Sequence, residues 1–108
     1  MAGHSWVSVA KADEIKCGEI RVADVDGAQI VVFNLDGEYY AIEDLCTHDG
    51  GKLTGGTIEG NEIVCPRHGA RFCIKTGAAL TAPAYEAVAT FPIKVENGNI
   101  FVNDNRWD

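Results

Sequence analysis

Two short pairs of residues carry the side chains best suited to bind metal. They are Cys46-Thr47-His48 and Cys65-Pro66-Arg67-His68, and sixteen residues, 49 to 64, separate them. Each pair offers one thiolate and one imidazole, whereas a zinc knuckle usually places both cysteines in one pair and both histidines in the other. A two-iron cluster with Cys46 and Cys65 on one iron and His48 and His68 on the other fits this mixed pattern. The spacing therefore favours a redox centre over a structural zinc site.

The elements that position these pairs are short β-like runs separated by turn signals. Asp36-Gly37 and Asn97-Gly98 are dipeptides typical of two-residue hairpin turns, and residues 12–15 resemble a single helical turn. Many short strands at this spacing predict an all-β sandwich or barrel. The predicted strands are residues 6–9, 19–25, 29–35, 38–42, 56–58, 62–64, 71–74, 88–95 and 100–102.

Both ligand pairs are predicted to lie in loops directly after strands. The run 38–42 leads into Cys46, and the run 62–64 leads into Cys65. Glycines in and between these loops permit close backbone approach, so that N–H groups can point at the sulfurs. Two loops at neighbouring strand ends can close on one cluster. The glycines concerned are Gly50, Gly51, Gly55, Gly56 and Gly69.

Composition limits the class of protein. The chain has 108 residues and a net charge of −7, from nine basic and sixteen acidic residues. A chain of this length predicts one domain, and the acidic balance argues against nucleic acid as a partner because phosphates would repel it. The same charge would steer an electron carrier towards basic patches on its partners. Without an apolar run long enough to cross a bilayer, or a signal peptide at the start, we expect no membrane association and a cytoplasmic location.

The cluster motifs resemble those of the Rieske ferredoxin family over nearly the whole chain. The resemblance rests on Cys46-Thr47-His48-Asp49-Gly50-Gly51 and on Cys65-Pro66-Arg67-His68-Gly69. It implies one [2Fe–2S] cluster per chain, bound by the two cysteines and two histidines of these motifs. It also implies an antiparallel β-sandwich or barrel of short strands, spanning 1–108 as a single Rieske domain. A small cluster-binding subdomain made of two loops would occupy about residues 44–74.

The resemblance is greatest to the ferredoxin component of bacterial aromatic-ring-hydroxylating dioxygenase systems. Such a carrier catalyses no reaction on a substrate itself. It takes one electron at a time from a flavin-containing, NADH-dependent reductase and passes it to a terminal oxygenase that has its own Rieske centre. Three alternatives remain: a Rieske small subunit of another redox system, such as an assimilatory nitrite reductase, a zinc-stabilised binding module, and a redox or iron–sulfur sensor. The acidic charge and the lack of a DNA-binding motif argue against the sensor.

Four positions distinguish the chain from the Rieske proteins of cytochrome bc-type complexes. Those proteins carry an additional cysteine in each loop, and the two form a disulfide; the matching positions here are Gly51 and Arg67. Their serine and tyrosine hydroxyls near the cluster correspond to Ala70 and Phe72. Fewer hydrogen bonds to sulfur stabilise the added electron less, so we predict a potential near the low end of the Rieske range, roughly −150 mV.

The remaining candidates have less specific interpretations. Cys73 lies on a predicted strand and is expected to be a small hydrophobic core residue, and Cys17 is expected to be incidental. The charged residues beside the motifs are expected to be mostly solvated, although close to a cluster they could tune its potential or contact a partner. They are Asp49, Lys52, Arg67 and Arg71.

Overall fold

The computed structural model describes residues 6–25, 27–47, 50–82 and 84–103, so His48 and Asp49 lie outside the described residues. Short strands account for about half of the described chain, and a 3₁₀ turn, Ala12–Glu14, follows the first strand. The strands are β1 (Trp6–Lys11), β2 (Ile20–Val25), β3 (Ala28–Leu35), β4 (Glu38–Glu43), β5 (Thr57–Glu59), β6 (Glu62–Val64), β7 (Arg71–Cys73), β8 (Thr90–Phe91), β9 (Ile93–Glu96) and β10 (Asn99–Asn103).

The strands form three antiparallel sheets. Their orders are β1-β10-β9, β2-β3-β4-β8 and β5-β6-β7. Every strand pair described is antiparallel, which confirms the all-β prediction. In the described part of the chain, no helix is long and apolar enough to cross a membrane.

Strand β3 is the centre of the molecule because both of its faces are buried. Ile30 and Val32 pack into one hydrophobic core, which also contains Ile100 from β10. Val31 and Phe33, which alternate with them along the strand, pack into a second core on the opposite face. Successive side chains of a strand point to opposite faces, so one strand can support both cores. The second core is the one that contains Cys46 and Cys65.

Two tight hairpins confirm the turn predictions. Asp36 and Gly37 have φ values of 54° and 90°, and Asn97 and Gly98 have values of 51° and 77°. Positive φ at both central residues is the type I′ geometry, whose twist matches that of the flanking strands. The first hairpin joins β3 to β4, so it carries the chain towards the first ligand loop.

The single strand predicted over residues 88–95 is wrong, because the chain changes sheets within it. Strand β8 pairs with β4, whereas β9 pairs with β10. Pro92 lies between them, and a proline has no N–H to donate to a neighbouring strand. Its carbonyl still accepts a hydrogen bond of 3.1 Å from the Asn103 N–H. Pro92 therefore marks the point at which the chain leaves one sheet for the other.

Candidate metal centre

Each predicted ligand loop begins just after a strand, as the sequence indicates. Strand β4 ends at Glu43, shortly before Cys46, and β6 ends at Val64, directly before Cys65. The β5-β6-β7 sheet supports the second loop from both sides, because β7 begins at Arg71. The two cysteines thus follow strands of different sheets.

The two loops have the same backbone hydrogen bonds. In the first, the Cys46 N–H donates to the Gly51 carbonyl at 2.7 Å, and the Gly50 N–H donates to the Cys46 carbonyl at 2.8 Å. In the second, the Cys65 N–H donates to the Ala70 carbonyl at 2.7 Å, and the Gly69 N–H donates to the Cys65 carbonyl at 3.1 Å. Residues 46–51 and 65–70 are therefore matched six-residue loops, each closed on its own cysteine.

The fifth residue of each loop is a glycine in the left-handed region. Gly50 has a φ of 76° and Gly69 a φ of 77°. Residues with a Cβ rarely adopt this conformation, which lets the chain turn back so that the sixth residue meets the cysteine. The resemblance of the two motifs in the sequence thus corresponds to a resemblance in backbone geometry.

The structure brings the two predicted cysteine ligands into one core and leaves one histidine at the surface. Cys46 is 0% exposed and Cys65 is 1% exposed, and both belong to the core on the second face of β3. His68 is exposed near the end of the second loop. The fourth predicted ligand, His48, lies outside the described residues. Among the residues that are described, no three His, Cys, Asp or Glu side chains converge as a metal site.

Arg67 joins the two loops. Its Nη2 donates a hydrogen bond of 3.3 Å to the Cys65 Sγ, within its own loop. Its guanidinium also lies against Gly51 of the other loop, where an ideal Cβ would be 2.6 Å from Cζ. Gly51 and Arg67 are the two positions predicted to match the additional cysteines of the bc-type proteins. In this chain an arginine side chain crosses the space between those positions.

Asp44 is a structural residue of the site that the sequence analysis did not identify. It is 6% exposed, and its Oδ1 accepts hydrogen bonds from the N–H groups of Leu53 at 2.8 Å and Thr54 at 2.9 Å. Its Oδ2 accepts a third bond from the Thr54 hydroxyl. The carboxylate thereby ties the segment that precedes Cys46 to the segment that follows the loop. Its partners are nine and ten residues away, so no local sequence pattern predicts the contact.

A third segment closes the first loop from the side. The Thr47 hydroxyl donates to the Glu86 carbonyl at 2.6 Å, and the Glu43 N–H donates to the Ala89 carbonyl at 2.9 Å. These bonds place the chain that leads into β8 directly beside Cys46. Two sets of hydrogen bonds therefore hold the first loop, one from Asp44 and one from this segment.

The two positions predicted to lack hydroxyls are buried at the site. Ala70 and Phe72 are both 0% exposed and pack in the same core as the cysteines. Arg71, between them, pairs instead with Glu59 at 2.8 Å and with Glu62 at 3.2 Å. The positive charge of Arg71 is therefore partly balanced by two carboxylates.

The prediction that Cys73 is a core residue is wrong, because its side chain is only half-buried. A hydrogen bond from the Thr76 side chain lowers the pKa of the Cys73 thiol, although burial opposes the shift. Cys73 lies at the end of β7, where a turn begins, and this places Thr76 within reach. Cys17 is exposed in a turn, as expected for an incidental cysteine.

The donor set fits an iron–sulfur cluster better than it fits a closed zinc site. Both cysteines are buried, and a cationic guanidinium donates to one of the two sulfurs, which suits a thiolate. Each cysteine has a histidine within three residues in the sequence, which provides the mixed ligation of this cluster type.

Comparison with known proteins decides the family. The model of the Rieske [2Fe–2S] domain matches residues 5–92. The chain belongs to this family. A Rieske domain holds a [2Fe–2S] cluster, so the predicted cofactor is confirmed.

The relatives of this Rieske chain include ferredoxin components of dioxygenase systems. It is 37% identical over 98 residues to the ferredoxin component of the naphthalene 1,2-dioxygenase/salicylate 5-hydroxylase systems of Ralstonia sp., which covers 91% of this chain and 94% of that protein. Because such relatives are ferredoxins, the prediction of a carrier rather than an enzyme is confirmed.

Solved structures agree with the fold. The ferredoxin of carbazole 1,9a-dioxygenase from Nocardioides aromaticivorans IC177 matches with a TM-score of 0.87 and 34% identity, over 91% of this chain and 96% of that one. A chain in a complex of reduced oxygenase and oxidized ferredoxin in carbazole 1,9a-dioxygenase matches with a TM-score of 0.88 and 31% identity, over 97% and 99%. These matches confirm the antiparallel Rieske architecture.

Proposed function

We propose that the protein is the one-electron carrier of a bacterial aromatic-ring-hydroxylating dioxygenase system. It accepts electrons from a flavin-containing, NADH-dependent reductase and delivers them to a terminal oxygenase with its own Rieske centre. The matched pair of loops, each with a buried cysteine, is the observation that carries this proposal. Support for the oxygenase as partner comes from the similar chain found in a complex of oxygenase and ferredoxin.

Four side chains are proposed as the ligands. Cys46 and Cys65 bind one iron, and His48 and His68 bind the other. When bound, the cluster supplies one-electron redox chemistry at a potential above that of plant-type ferredoxins, because neutral imidazoles replace two thiolates. The burial of both sulfurs and the exposure of His68 support this assignment.

The arrangement gives the protein a buried side and an exposed side of the site. The cysteines lie in the core, which excludes water from the sulfurs, while His68 reaches the surface. The exposure of His68 therefore supports electron transfer to a partner on the histidine side of the site.

The chain is proposed to form one domain over residues 1–108, with the cluster-binding part at about 44–74. Support comes from β3, because its two faces contribute to both hydrophobic cores. A cytoplasmic location is proposed as well, since the reducing conditions there keep cysteine thiols available as cluster ligands.

The first test is the EPR spectrum of the purified, dithionite-reduced protein. A rhombic signal with the low average g value of a histidine-ligated two-iron cluster would support the ligand assignment. Reduction by an NADH-dependent flavoprotein reductase, followed by reoxidation on mixing with a Rieske oxygenase, would support the carrier role. A colourless protein with one bound zinc ion would refute both and leave the structural module. A Rieske EPR signal in a protein that the reductase reduces, but that no oxygenase reoxidises, would favour a role in another redox system.

A further inference from the structure

The Arg67 side chain lies in a position that neither ligand loop requires for its own closure. The loop 65–70 is closed by two backbone hydrogen bonds that involve Cys65, Gly69 and Ala70. The guanidinium adds a bond to the Cys65 sulfur and extends to Gly51 in the opposite loop. The Cys65 sulfur therefore accepts a hydrogen bond from a cationic side chain that spans the two loops.

Gly51 makes room for this guanidinium. An ideal Cβ at Gly51 would lie 2.6 Å from the Arg67 Cζ, 2.7 Å from Nη2 and 2.9 Å from Nε. The backbone of Gly51 is not in the left-handed region, so an alanine is permitted there by conformation. An alanine at position 51 would therefore displace the Arg67 guanidinium, which is the far end of a flexible side chain. The pair Gly51 and Arg67 acts as one structural unit across the two loops.

We propose that this contact raises the reduction potential of the cluster, and that Arg67, although exposed at the surface, tunes the carrier through its hydrogen bond to Cys65. The inference rests on the proposed role of Cys65 as a ligand. Reduction adds one negative charge to the cluster, and hydrogen bonds to the sulfurs stabilise that form. A cationic donor stabilises a charged acceptor more than a neutral donor does. The guanidinium therefore favours the reduced state, in partial compensation for the missing hydroxyls at Ala70 and Phe72.

Arginine suits this position better than lysine. A guanidinium is planar and presents several N–H groups in a fixed fork, so one edge can meet the sulfur while the plane lies on Gly51. A lysine ammonium is compact and strongly hydrated, and it has no flat face to pack on a glycine backbone. We expect Arg67→Lys to retain the charge and to lose the directed hydrogen bond.

The test is a redox titration of the cluster-loaded protein, followed by its visible spectrum. In Arg67→Met, we expect the ratio of reduced to oxidised protein at a fixed ambient potential to fall about tenfold, equivalent to a shift of about 59 mV to lower potential. Arg67→Lys is expected to fall between this variant and the natural chain. Lys52 and Arg67 are both exposed, so Lys52→Met removes the same charge from a comparable position outside the guanidinium–sulfur contact. It is expected to leave the potential nearly unchanged, because solvent and salt screen a charge that is not directed at the sulfur.

Gly51→Ala tests the same contact without changing Arg67. The added methyl group displaces the guanidinium, so the potential should fall in the same direction as in Arg67→Met. In the double variant the two effects should not add, since both remove one interaction. If Arg67→Met does not retain its cluster, the reduction potential of Gly51→Ala alone tests the proposal.

Three results would overturn the proposal. One is an unchanged potential in both Arg67→Met and Gly51→Ala while the cluster is retained. Another is an equal shift in Lys52→Met, which would mean that charge alone, and not the contact, matters. The third is full additivity in the double variant. If the natural protein has no Rieske EPR signal, the proposed function itself is wrong. A Rieske signal with unchanged potentials in the variants would refute only the role of Arg67.

Discussion

The carboxylate of Asp44 is predicted to be the main polar support of the first ligand loop. It accepts hydrogen bonds from two backbone N–H groups and one hydroxyl, and it is 6% exposed. Replacing it by alanine leaves the Leu53 N–H buried without this acceptor, and the Thr54 N–H partly buried. Each unsatisfied group costs about 1–3 kcal/mol, so Asp44→Ala should lose about 2–6 kcal/mol of unfolding free energy. This is a large part of the stability of an ordinary domain, about 5–15 kcal/mol.

The assay is the thermal unfolding of the cluster-loaded protein, followed by far-UV circular dichroism and by the visible absorbance of the cluster. A loss of 1 kcal/mol lowers the Tm of a domain of this size by about 4–8 °C, so Asp44→Ala should lower it by about 10 °C or more. Asp44→Asn keeps one oxygen for the two N–H groups, and the Thr54 hydroxyl can accept from the new amide. We expect that variant to lose about 1–2 kcal/mol, chiefly from the charge.

The matched control is Asp24→Ala. Asp24 also accepts two hydrogen bonds, from the Gly27 N–H and the Gln29 side chain, but it does so at the exposed surface. Water can replace those bonds, so its effect should be at most about 1 kcal/mol. If Asp44→Ala and Asp24→Ala lower the Tm equally, the reasoning from burial is wrong. If the visible absorbance of the cluster is lost at the same temperature in Asp44→Ala as in the natural chain, the carboxylate does not support the loop.

Three further changes test the site from other directions. Gly56→Ala should destabilise the protein by about 1–3 kcal/mol, because an ideal Cβ would lie 2.0 Å from the Val64 carbonyl oxygen; an unchanged Tm would contradict this close approach. Phe72→Tyr should raise the reduction potential if its hydroxyl donates to a cluster sulfur, and a redox titration with an unchanged potential would show that the side chain faces elsewhere. Thr76→Val should raise the pKa of Cys73, since it removes the hydrogen bond that lowers that pKa. The alkylation of Cys73, followed by peptide mass spectrometry, should then require a higher pH, and an unshifted pH profile would exclude that bond.

Local signals in the sequence predicted the hairpins and the position of the loops. Asp36-Gly37 and Asn97-Gly98 adopt positive φ values that few other residue pairs tolerate, so each dipeptide nearly determines its turn. The cysteine motifs were predictable for a similar reason, because each lies in a short loop directly after a strand. Such features depend on residues that are close in the chain.

Features that depend on distant residues were not predictable. Pro92 is compatible with a strand edge, and the sequence does not show that β8 and β9 belong to different sheets. The acceptor role of Asp44 requires partners nine and ten residues away. The sequence predicts a mostly solvated charge at Arg67, and it does not predict the contact of that side chain with Gly51, which exists only when both loops have folded. Each of these contacts is created by tertiary structure.

The burial of β3 on both faces has a consequence for the alignment of its hairpin. In most strands an alternation of polar and apolar residues shows which face belongs inside, but Ile30, Val31, Val32 and Phe33 are all fully buried. A shift of one residue in the register between β3 and β4 would exchange the two faces, and nearly the same apolar side chains would still be buried. The two-residue turn at Asp36-Gly37 prevents it by holding Leu35 opposite Glu38. One residue inserted into this turn would rotate Ile42 away from the cysteine core. The turn at the far end of the hairpin thus aligns the strand that delivers the first ligand loop.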